Sequence, residues 1–447
     1  MESLTGWGRT APTLARVERP TTVEQASRAV LAAGSRGAVA RGLARSYGDA
    51  AQNAGGTVLD MTGLSRILDL DLRSGTVTAE SGVSLHQLMK VLLPLGWFVP
   101  VTPGTRYVTV GGAIGSDIHG KNHHVSGSFC RHVSSFDLLL ADGTVRTVTR
   151  EGDADLFYAT TGGMGLTGVV TAATVHLLPV RTSLMSVDTE RATDLDDLMA
   201  RLTETDHKYR YSVAWIDLLA KGASMGRAVL TRGEHAEPDQ LSPAQRRDPL
   251  AFRPGTLPAA PRFLPGGLLR PATVGLFNEL WYRRAPRERR GEIQKLSAFF
   301  HPLDGVPEWN RVYGPGGFLQ YQFVIGLDQE QTLRRIVERI SRSQCPAFLA
   351  VLKRFGEGDP GWLSFPTEGW TLALDIPTGM PGLGALLNEL DDLVASAGGR
   401  IYLAKDSRLR PESMADLYPR LQDFRRLRAE LDPAGLFTSD LARRLDL

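Results

Sequence analysis

The densest run of residues able to do chemistry is Pro103-Gly-Thr-Arg-Tyr-Val-Thr-Val-Gly-Gly-Ala-Ile-Gly-Ser-Asp-Ile-His-Gly-Lys-Asn-His-His-Val-Ser-Gly-Ser128. Glycine at 104, 111, 112, 115, 120 and 127 lets the backbone approach a ligand closely and aim several N–H groups at it, as a pyrophosphate requires. Ala40-Arg-Gly-Leu-Ala-Arg-Ser-Tyr-Gly-Asp49 has the same character, with Arg41 and Arg45 able to offset phosphate charge and Ser46 able to donate. Either loop alone could be a set of tight turns. The two together suit a dinucleotide.

His119, His123, His124 and His132 invite a metal reading, but Lys121 lies among them and no carboxylate or cysteine is placed to close a site, so no metal is expected. Gly163-Met-Gly-Leu-Thr-Gly168 matches G-x-G-x-x-G by letter. The nicotinamide fingerprint needs a strand before it and a helix after it. Here 154–160 reads as helix and 169–177 as strand, so the glycines are expected to form a turn against a cofactor.

These loops must be held by a framework. Thr57–Met61 and Thr76–Ala79 read as strands, Leu85–Leu93 as a helix, and Phe136–Leu140 with Thr144–Val148 as a hairpin around Ala141-Asp-Gly. Glycine density falls after Leu178-Pro179, where a domain boundary is expected. Beyond it Leu319, Tyr321, Phe323 and Ile325 alternate with Gln320, Gln322 and Val324 at strand period. A capped helix is expected over 328–343 and strands over 348–355 and 370–376, with Lys353 on an otherwise apolar face. Strands and helices in this order suggest a sheet with helices on one side. Between Phe252 and Leu276, prolines and glycines interrupt any period, giving either a mobile flap that meets a lipid tail or anionic membrane, or a solvent-exposed insertion.

Composition bounds the rest. The 447 residues exceed one ordinary core, and 42% hydrophobic with 22% charged residues is globular in character. The formal charge of +2 has no one-sign block to track a phosphate backbone, so nucleic-acid binding is not expected. Cys130 and Cys345 form neither a disulfide framework nor a C-x-x-C pair. The opening Met1-Glu-Ser-Leu-Thr-Gly-Trp lacks a cationic start and apolar core. A cytoplasmic location is expected, with peripheral membrane attachment and a cell-envelope face left open.

At these motifs the chain resembles the vanillyl-alcohol-oxidase type of FAD-binding flavoproteins. The likeness runs through Leu4-Thr-Gly-Trp-Gly-Arg-Thr-Ala-Pro, Arg41–Asn53, Pro103–Ser128, Gly162–Gly168, Glu308–Ile325, Ala404-Lys-Asp-Ser-Arg408 and Ser439-Asp-Leu-Ala-Arg-Arg-Leu. It implies an α+β fold of two domains: an FAD-binding domain over 1–182, an inserted substrate domain over 183–399 on an antiparallel sheet flanked by helices, with a mobile flap at 252–282, and a C-terminal segment over 400–447 returning to the FAD domain.

The resemblance places FAD against Ala40, Arg41, Gly42, Leu43, Ala44 and Arg45, then Ser46, Tyr47, Gly48, Asp49 and Ala50. It adds Gly104, Thr109, Val110, Gly111 and Gly112, then Ser116, Asp117, Ile118 and His119, and finally Val170 and Tyr402. Relatives that attach flavin covalently carry a histidine in the first loop, and Tyr47 stands in the corresponding stretch here, so a non-covalent cofactor is implied. The implied reaction is oxidation of the C2′ hydroxyl of a polyprenyl-phosphoryl ribose to a ketone. A separate NAD(P)H-dependent keto-reductase completes the epimerisation that supplies arabinose for the cell wall, and quinone or oxygen takes the electrons. An aldonolactone or alditol oxidase acting on a soluble sugar alcohol is the alternative.

Lys405, at the end of an expected strand 401–404, is the first catalytic candidate, as a cation facing reduced flavin or the sugar oxygen. His119, Lys121 and Tyr47 could each take or relay the hydroxyl proton. Gln322, Lys353, Tyr313, Ala373, Asp375 and Lys121 are placed at the substrate. Mycobacterial members carry a cysteine where this chain has Ala373.

Overall fold

The computed structural model describes residues 1–261, 267 and 269–447. Near the N-terminus, Thr57–Asp60 runs between Thr13–Glu18 and Ala38–Arg41, parallel to both, with Glu2–Leu4 antiparallel on the edge. Val39, Val58 and Ala15 are fully buried there, and the first glycine-rich loop leaves the end of Ala38–Arg41. A five-stranded antiparallel sheet stands beside it, in the order Ile67–Asp71, Thr76–Glu80, Val169–His176, Val133–Leu139, Val145–Thr149. The expected hairpin is its last two strands. Gly143 holds the turn at φ 82°, and the Asp142 carboxylate accepts from the Thr144 N–H at 2.9 Å.

The helix Leu85–Leu92 starts on Ser84, which accepts from the Gln87 N–H while the Gln87 side chain accepts from the Ser84 N–H. Leu85, Leu88, Met89 and Leu92 form its buried face. The helix Ala154–Thr160 precedes the glycine turn and Val169–His176 follows it, the order that separates this turn from a nicotinamide fingerprint.

From residue 184 the chain builds one eight-stranded antiparallel sheet in the order Glu288–Lys295, Leu184–Ala192, Ala228–His235, Tyr211–Ile216, Ala350–Phe355, Gly369–Pro377, Phe318–Ile325, Arg400–Ile401. Strand alternation divides its residues. Tyr321, Phe323 and Ile325, with Trp370, Leu372, Leu374, Ala350 and Leu352, enter one apolar core. The helices Leu195–Thr205, Glu330–Arg342 and Leu383–Ser396 close that core with Leu198, Leu202, Leu333, Ile336, Leu387 and Leu390. The opposite face presents Gln320, Gln322, Ala373, Val351, Lys353, Val213 and Trp215 to a cavity.

Four expectations need correction. The helix expected over 328–343 forms as Glu330–Arg342 and has no side-chain cap, because Gln329 rather than Asp328 occupies the cap position. The strand expected over 401–404 ends at Ile401 and is the edge of the large sheet, so the chain leaves that sheet after residue 401 rather than at 399. Lys405 lies in the turn that follows, its N–H donating to the Tyr402 carbonyl at 2.9 Å. The flap expected over 252–282 is not irregular throughout, since Pro271–Arg284 is helical, with proline at its first position where no N–H partner is needed. Residues 262–266 and 268 of that stretch lie outside the described residues.

The C-terminal segment packs on the N-terminal sheet. Ala38 donates to the Leu436 carbonyl at 2.7 Å and accepts from Thr438 at 3.0 Å. Arg444 forms a fork on Asp49 at 2.8 and 2.9 Å and reaches Asp406 at 2.9 Å.

Candidate active site

A cavity of about 1180 Å³ opens between the two glycine-rich loops and the exposed face of the large sheet. That exceeds the roughly 300–1,000 Å³ of a typical small-molecule site, leaving room for a dinucleotide and a second reactant. Residues 40–47 line one end, with Ala50, Gly104, Thr109, Gly111, Gly112 and Ser116, then Ile118, His119, Val170 and Tyr402.

The loops interlock so closely that side chains are excluded. A Cβ on Gly42 would stand 2.2 Å from the Thr109 Oγ1, and one on Gly111 would stand 2.9 Å from the Ser81 Cβ. Ala44 (φ 55°), Asp117 (φ 38°) and Met164 (φ 55°) hold left-handed backbone at the same wall, a cost that persists only where the surroundings impose it. The Ser81 hydroxyl is buried there without a partner among the described residues.

Four of the expected cofactor residues stand behind this wall. Val110 is fully buried core. Asp117 accepts from the Cys130 N–H at 3.0 Å and from the Ser364 hydroxyl. Asp49 is held by Arg444, and Gly48 packs against the Asp406 carbonyl. Each supports a loop rather than facing the cavity. Arg41 donates to the carbonyls of Ala51 and Thr5 at 2.8 and 2.6 Å, and Arg45 lies over the Trp7 ring at 4.0 Å.

On the sheet side the four catalytic candidates come together. Lys405 Nζ sits 4.0 Å from the centroid of the Tyr47 ring. The Tyr47 hydroxyl accepts from Gln320 Nε2 at 3.1 Å, and Gln320 also donates to Asp375. Gln322 Nε2 and His119 Nε2 are 2.9 Å apart, leaving His119 Nδ1 buried without a partner among the described residues. Phe355, Phe365 and Tyr402 surround that imidazole. Lys121 donates to the Phe299 carbonyl and lies 4.2 Å from that ring's centroid.

Tyr313 and Asp375 are the substrate candidates that the structure does not bring to the cavity. Asp375 shares a strand face with Ala373 but is covered by Gln320 and Tyr47, and is fully buried. Tyr313 stacks on Phe318 at 4.0 Å and donates to Asp375 at 3.3 Å. Both belong to the layer that orients Gln320.

Electrostatics follow from burial. Burial, and then the neighbouring Lys353, lowers Lys121 to about 7; burial lowers Lys353 to about 8. Burial also lowers Lys405, against the pull of Asp375, whose own carboxyl burial raises. His119 is held well below its ordinary value by burial and Lys353, so it is neutral. Burial and Asp375 push Tyr47 up, so it stays protonated. Among the described residues, none of Arg41, Arg45, Lys121, Lys353 and Lys405 ion-pairs with a carboxylate, although all five line the cavity. Asp304 and Glu308 also line the cavity and act on Arg45, and Asp375 acts on Lys405, but Lys121 and Lys353 converge with no carboxylate at ion-pair distance among the described residues, a setting that suits an anion.

Sequence reasoning missed a signal here. Seven of the 51 basic residues are lysine, and three of the seven line this cavity. It also missed the aromatic wall of Trp215, Phe277, Trp281 and Phe348 at the far end. The candidate metal histidines disperse: His124 faces Asp206 at 3.8 Å, His132 faces the Ser126 carbonyl at 2.9 Å, and His123 packs on Phe355. Among the described residues no group of three metal-binding side chains forms.

Residues 14–149 match an FAD binding domain and residues 324–445 a D-arabinono-1,4-lactone oxidase model. The chain is 47% identical to a decaprenylphosphoryl-β-D-ribose oxidase of Mycolicibacterium smegmatis, over 99% of this chain and 97% of that protein. The chain belongs to that family. It is an FAD-dependent oxidoreductase of the vanillyl-alcohol-oxidase type, as the family resemblance implied. An uncharacterised Streptomyces coelicolor protein is 51% identical over 82% of this chain and all of its own length. A Streptomyces alditol oxidase is 26% identical over 99% of both chains. The decaprenylphosphoryl-ribose oxidase is thus much nearer than the alditol enzyme, the alternative considered above.

Proposed function

We propose that the protein oxidises the C2′ hydroxyl of polyprenyl-phosphoryl-β-D-ribose to the 2′-ketone, the first half of an epimerisation that yields an arabinose donor for cell-wall synthesis. The observation that carries this reading is that Lys121 and Lys353 line the cavity, beside Lys405, with no ion-paired carboxylate among the described residues. A neutral polyol would leave those charges uncompensated; a phosphorylated sugar beside a flavin would not.

The loop walls suit FAD: interlocked glycines keep side chains out, Arg41 and Arg45 bring positive charge, and the Ser81 hydroxyl awaits a partner. Residues 40–50 contain no histidine or cysteine, so contacts alone hold the cofactor. Bound FAD supplies the two-electron acceptor. The protein's part is to orient the carbinol and move its proton. Lys405 is the proton acceptor, because its lowered affinity leaves a free amine near neutral pH, where a general base works best. Tyr47 and Gln320 fix Lys405 from below, and Gln322 with neutral His119 orients the sugar hydroxyls. Lys353 and Lys121 hold the phosphate.

A membrane-borne substrate entails peripheral contact with the bilayer. The ketone passes to a separate NAD(P)H-dependent keto-reductase, and quinone or oxygen reoxidises the enzyme. Anaerobic mixing with polyprenyl-phosphoryl ribose is expected to bleach the flavin band near about 450 nm, typical of the cofactor. Bleaching by xylitol or sorbitol, with none by the phospholipid sugar, would instead assign a soluble sugar-alcohol oxidase.

A further inference from the structure

The helix Pro271–Arg284 is turned inside out. Its buried residues are Val274 and Asn278, the latter fully enclosed and donating to Asp217 at 2.7 Å. Glu279 is tied to Arg227, and the Tyr282 hydroxyl donates to the Ala192 carbonyl at 3.2 Å. The opposite side carries Leu276 (63% exposed), Phe277 (42%), Leu280 (60%) and Trp281 (48%). A helix in water normally buries its apolar stripe and solvates its polar one. This one fixes its polar side to the protein and offers its apolar side outward, which marks a surface that another apolar group covers.

That strip continues into the cavity. Phe277 and Trp281 are part of the cavity wall as well as of the exposed strip. Phe348, Phe277, Trp281 and Trp215 form a ladder with successive ring centroids 5.8, 6.0 and 6.5 Å apart. Trp215 and Phe348 are tied by the indole N–H donating to the Phe348 carbonyl at 3.0 Å. The ladder rises from the same sheet face that carries Lys353, since Trp215 pairs with Val351 two residues before it.

We infer that this aromatic ladder is the subsite for the first isoprene units of the substrate's polyprenyl chain, and that the chain leaves the protein over Leu276 and Leu280. The inference rests on the function proposed above, since it is the lipid half of that substrate that needs an apolar exit. Apolar rings in alternating edge and stacked contact suit a chain of methyl-branched alkenes, and burying one ring's worth of apolar surface corresponds to roughly a tenfold change in affinity or more.

The test compares methyl-phosphoryl ribose with farnesyl-phosphoryl ribose on the FAD-loaded enzyme without vesicles, and reads the ratio of their kcat/KM values. Wild type is expected to favour the farnesyl substrate. In F277A/W281A the ratio is expected to fall by roughly tenfold or more, while W281F restores a ratio close to wild type. Retention of flavin absorbance shows that each variant folds. An unchanged ratio in F277A/W281A overturns the inference, as does a defect that appears only when anionic vesicles are added, which would assign the strip to the bilayer. If wild type oxidises neither phosphoryl ribose, the proposed function falls, and the tail subsite falls with it.

Discussion

Replacing Lys353 by methionine removes a charge while keeping the length and much of the volume of the side chain, and it should raise stability as it lowers activity. Burial brings the ammonium from its ordinary 10.5 down to about 8, which corresponds to about 3 kcal/mol against the charged form. The side chain faces a cavity and is only partly buried, so solvent screening reduces that to about 1–2 kcal/mol. The folded-state value lies below the unfolded one. The cost is therefore fully present below about pH 8 and disappears as pH rises towards 10.5.

The substrate-free holoenzyme carrying K353M is expected to be more stable than wild type by about 1–2 kcal/mol at pH 7, with the two curves converging above pH 10. The opposite effect is expected on catalysis. Loss of a charged donor to phosphate costs about 1.5–3 kcal/mol, or roughly 10- to 150-fold in kcat/KM. Urea unfolding across pH and steady-state kinetics with the phosphoryl ribose substrate measure the two halves. A variant less stable than wild type at pH 7, or one with unchanged kcat/KM, would refute the assignment of Lys353 as a partly desolvated cation that meets an anion in the cavity.

Three further outcomes follow from the same geometry. K405R keeps a cation over Tyr47 but cannot release its proton, so kcat should fall by roughly 100-fold or more and the rise of kcat with pH through neutrality should vanish; a pH profile of kcat with its rising limb intact would exclude Lys405 as the base. Gly48→Ala would place a Cβ 2.0 Å from the Asp406 carbonyl oxygen, forcing apart the first loop and the turn that bears Lys405; about 1–3 kcal/mol of stability and much of the bound flavin should be lost, read by urea unfolding and absorbance, and a variant that keeps both would show that the contact relaxes freely. Wild type should take up no thiol reagent while folded, because Cys130 and Cys345 are fully buried, whereas A373C should take up one equivalent and be protected by substrate; mass spectrometry of the intact protein decides this.

Much of the framework was legible because periodicity records which face a residue takes. Leu319 to Ile325 and Trp370 to Ile376 alternate in sequence, and both strands form with their apolar residues in one core. The glycine loops were legible because close approach excludes every other residue, as the Gly42 and Gly111 contacts show. What alternation does not encode is depth. Asp375 points to the same side as Ala373, yet residues from a distant loop cover it. The helix at 271–284 was hidden for a related reason: Asn278 is one of its two buried residues while Leu276, Phe277, Leu280 and Trp281 are exposed, so its pattern reads as irregular when water is assumed to lie on the polar side.

The choice between lysine and arginine separates the functional charges from the structural ones. Among the described residues, every ion pair uses arginine or histidine as its cation, including Arg444 on Asp49 and Arg227 on Asp217. Arginine suits that role because its planar fork matches a carboxylate and it never loses its charge. Arg41 and Arg45, which also line the cavity, are satisfied locally instead, Arg41 donating to two backbone carbonyls and Arg45 lying over the Trp7 ring; a guanidinium without such partners could not shed its proton when the ligand is absent. Lysine can, and the three that line the cavity are lowered towards neutrality by burial. At pH 7 Lys353 still carries its charge, whereas Lys121 and Lys405, lowered to about 7, sit near the midpoint of their titration. A phosphate drawn between Lys121 and Lys353 would hold both as ammoniums, while burial leaves Lys405 able to accept a proton despite the opposing pull of Asp375. On the function proposed above, one residue type in one cavity would serve both to grip a phosphate and to take a hydroxyl proton, with each lysine's position deciding which.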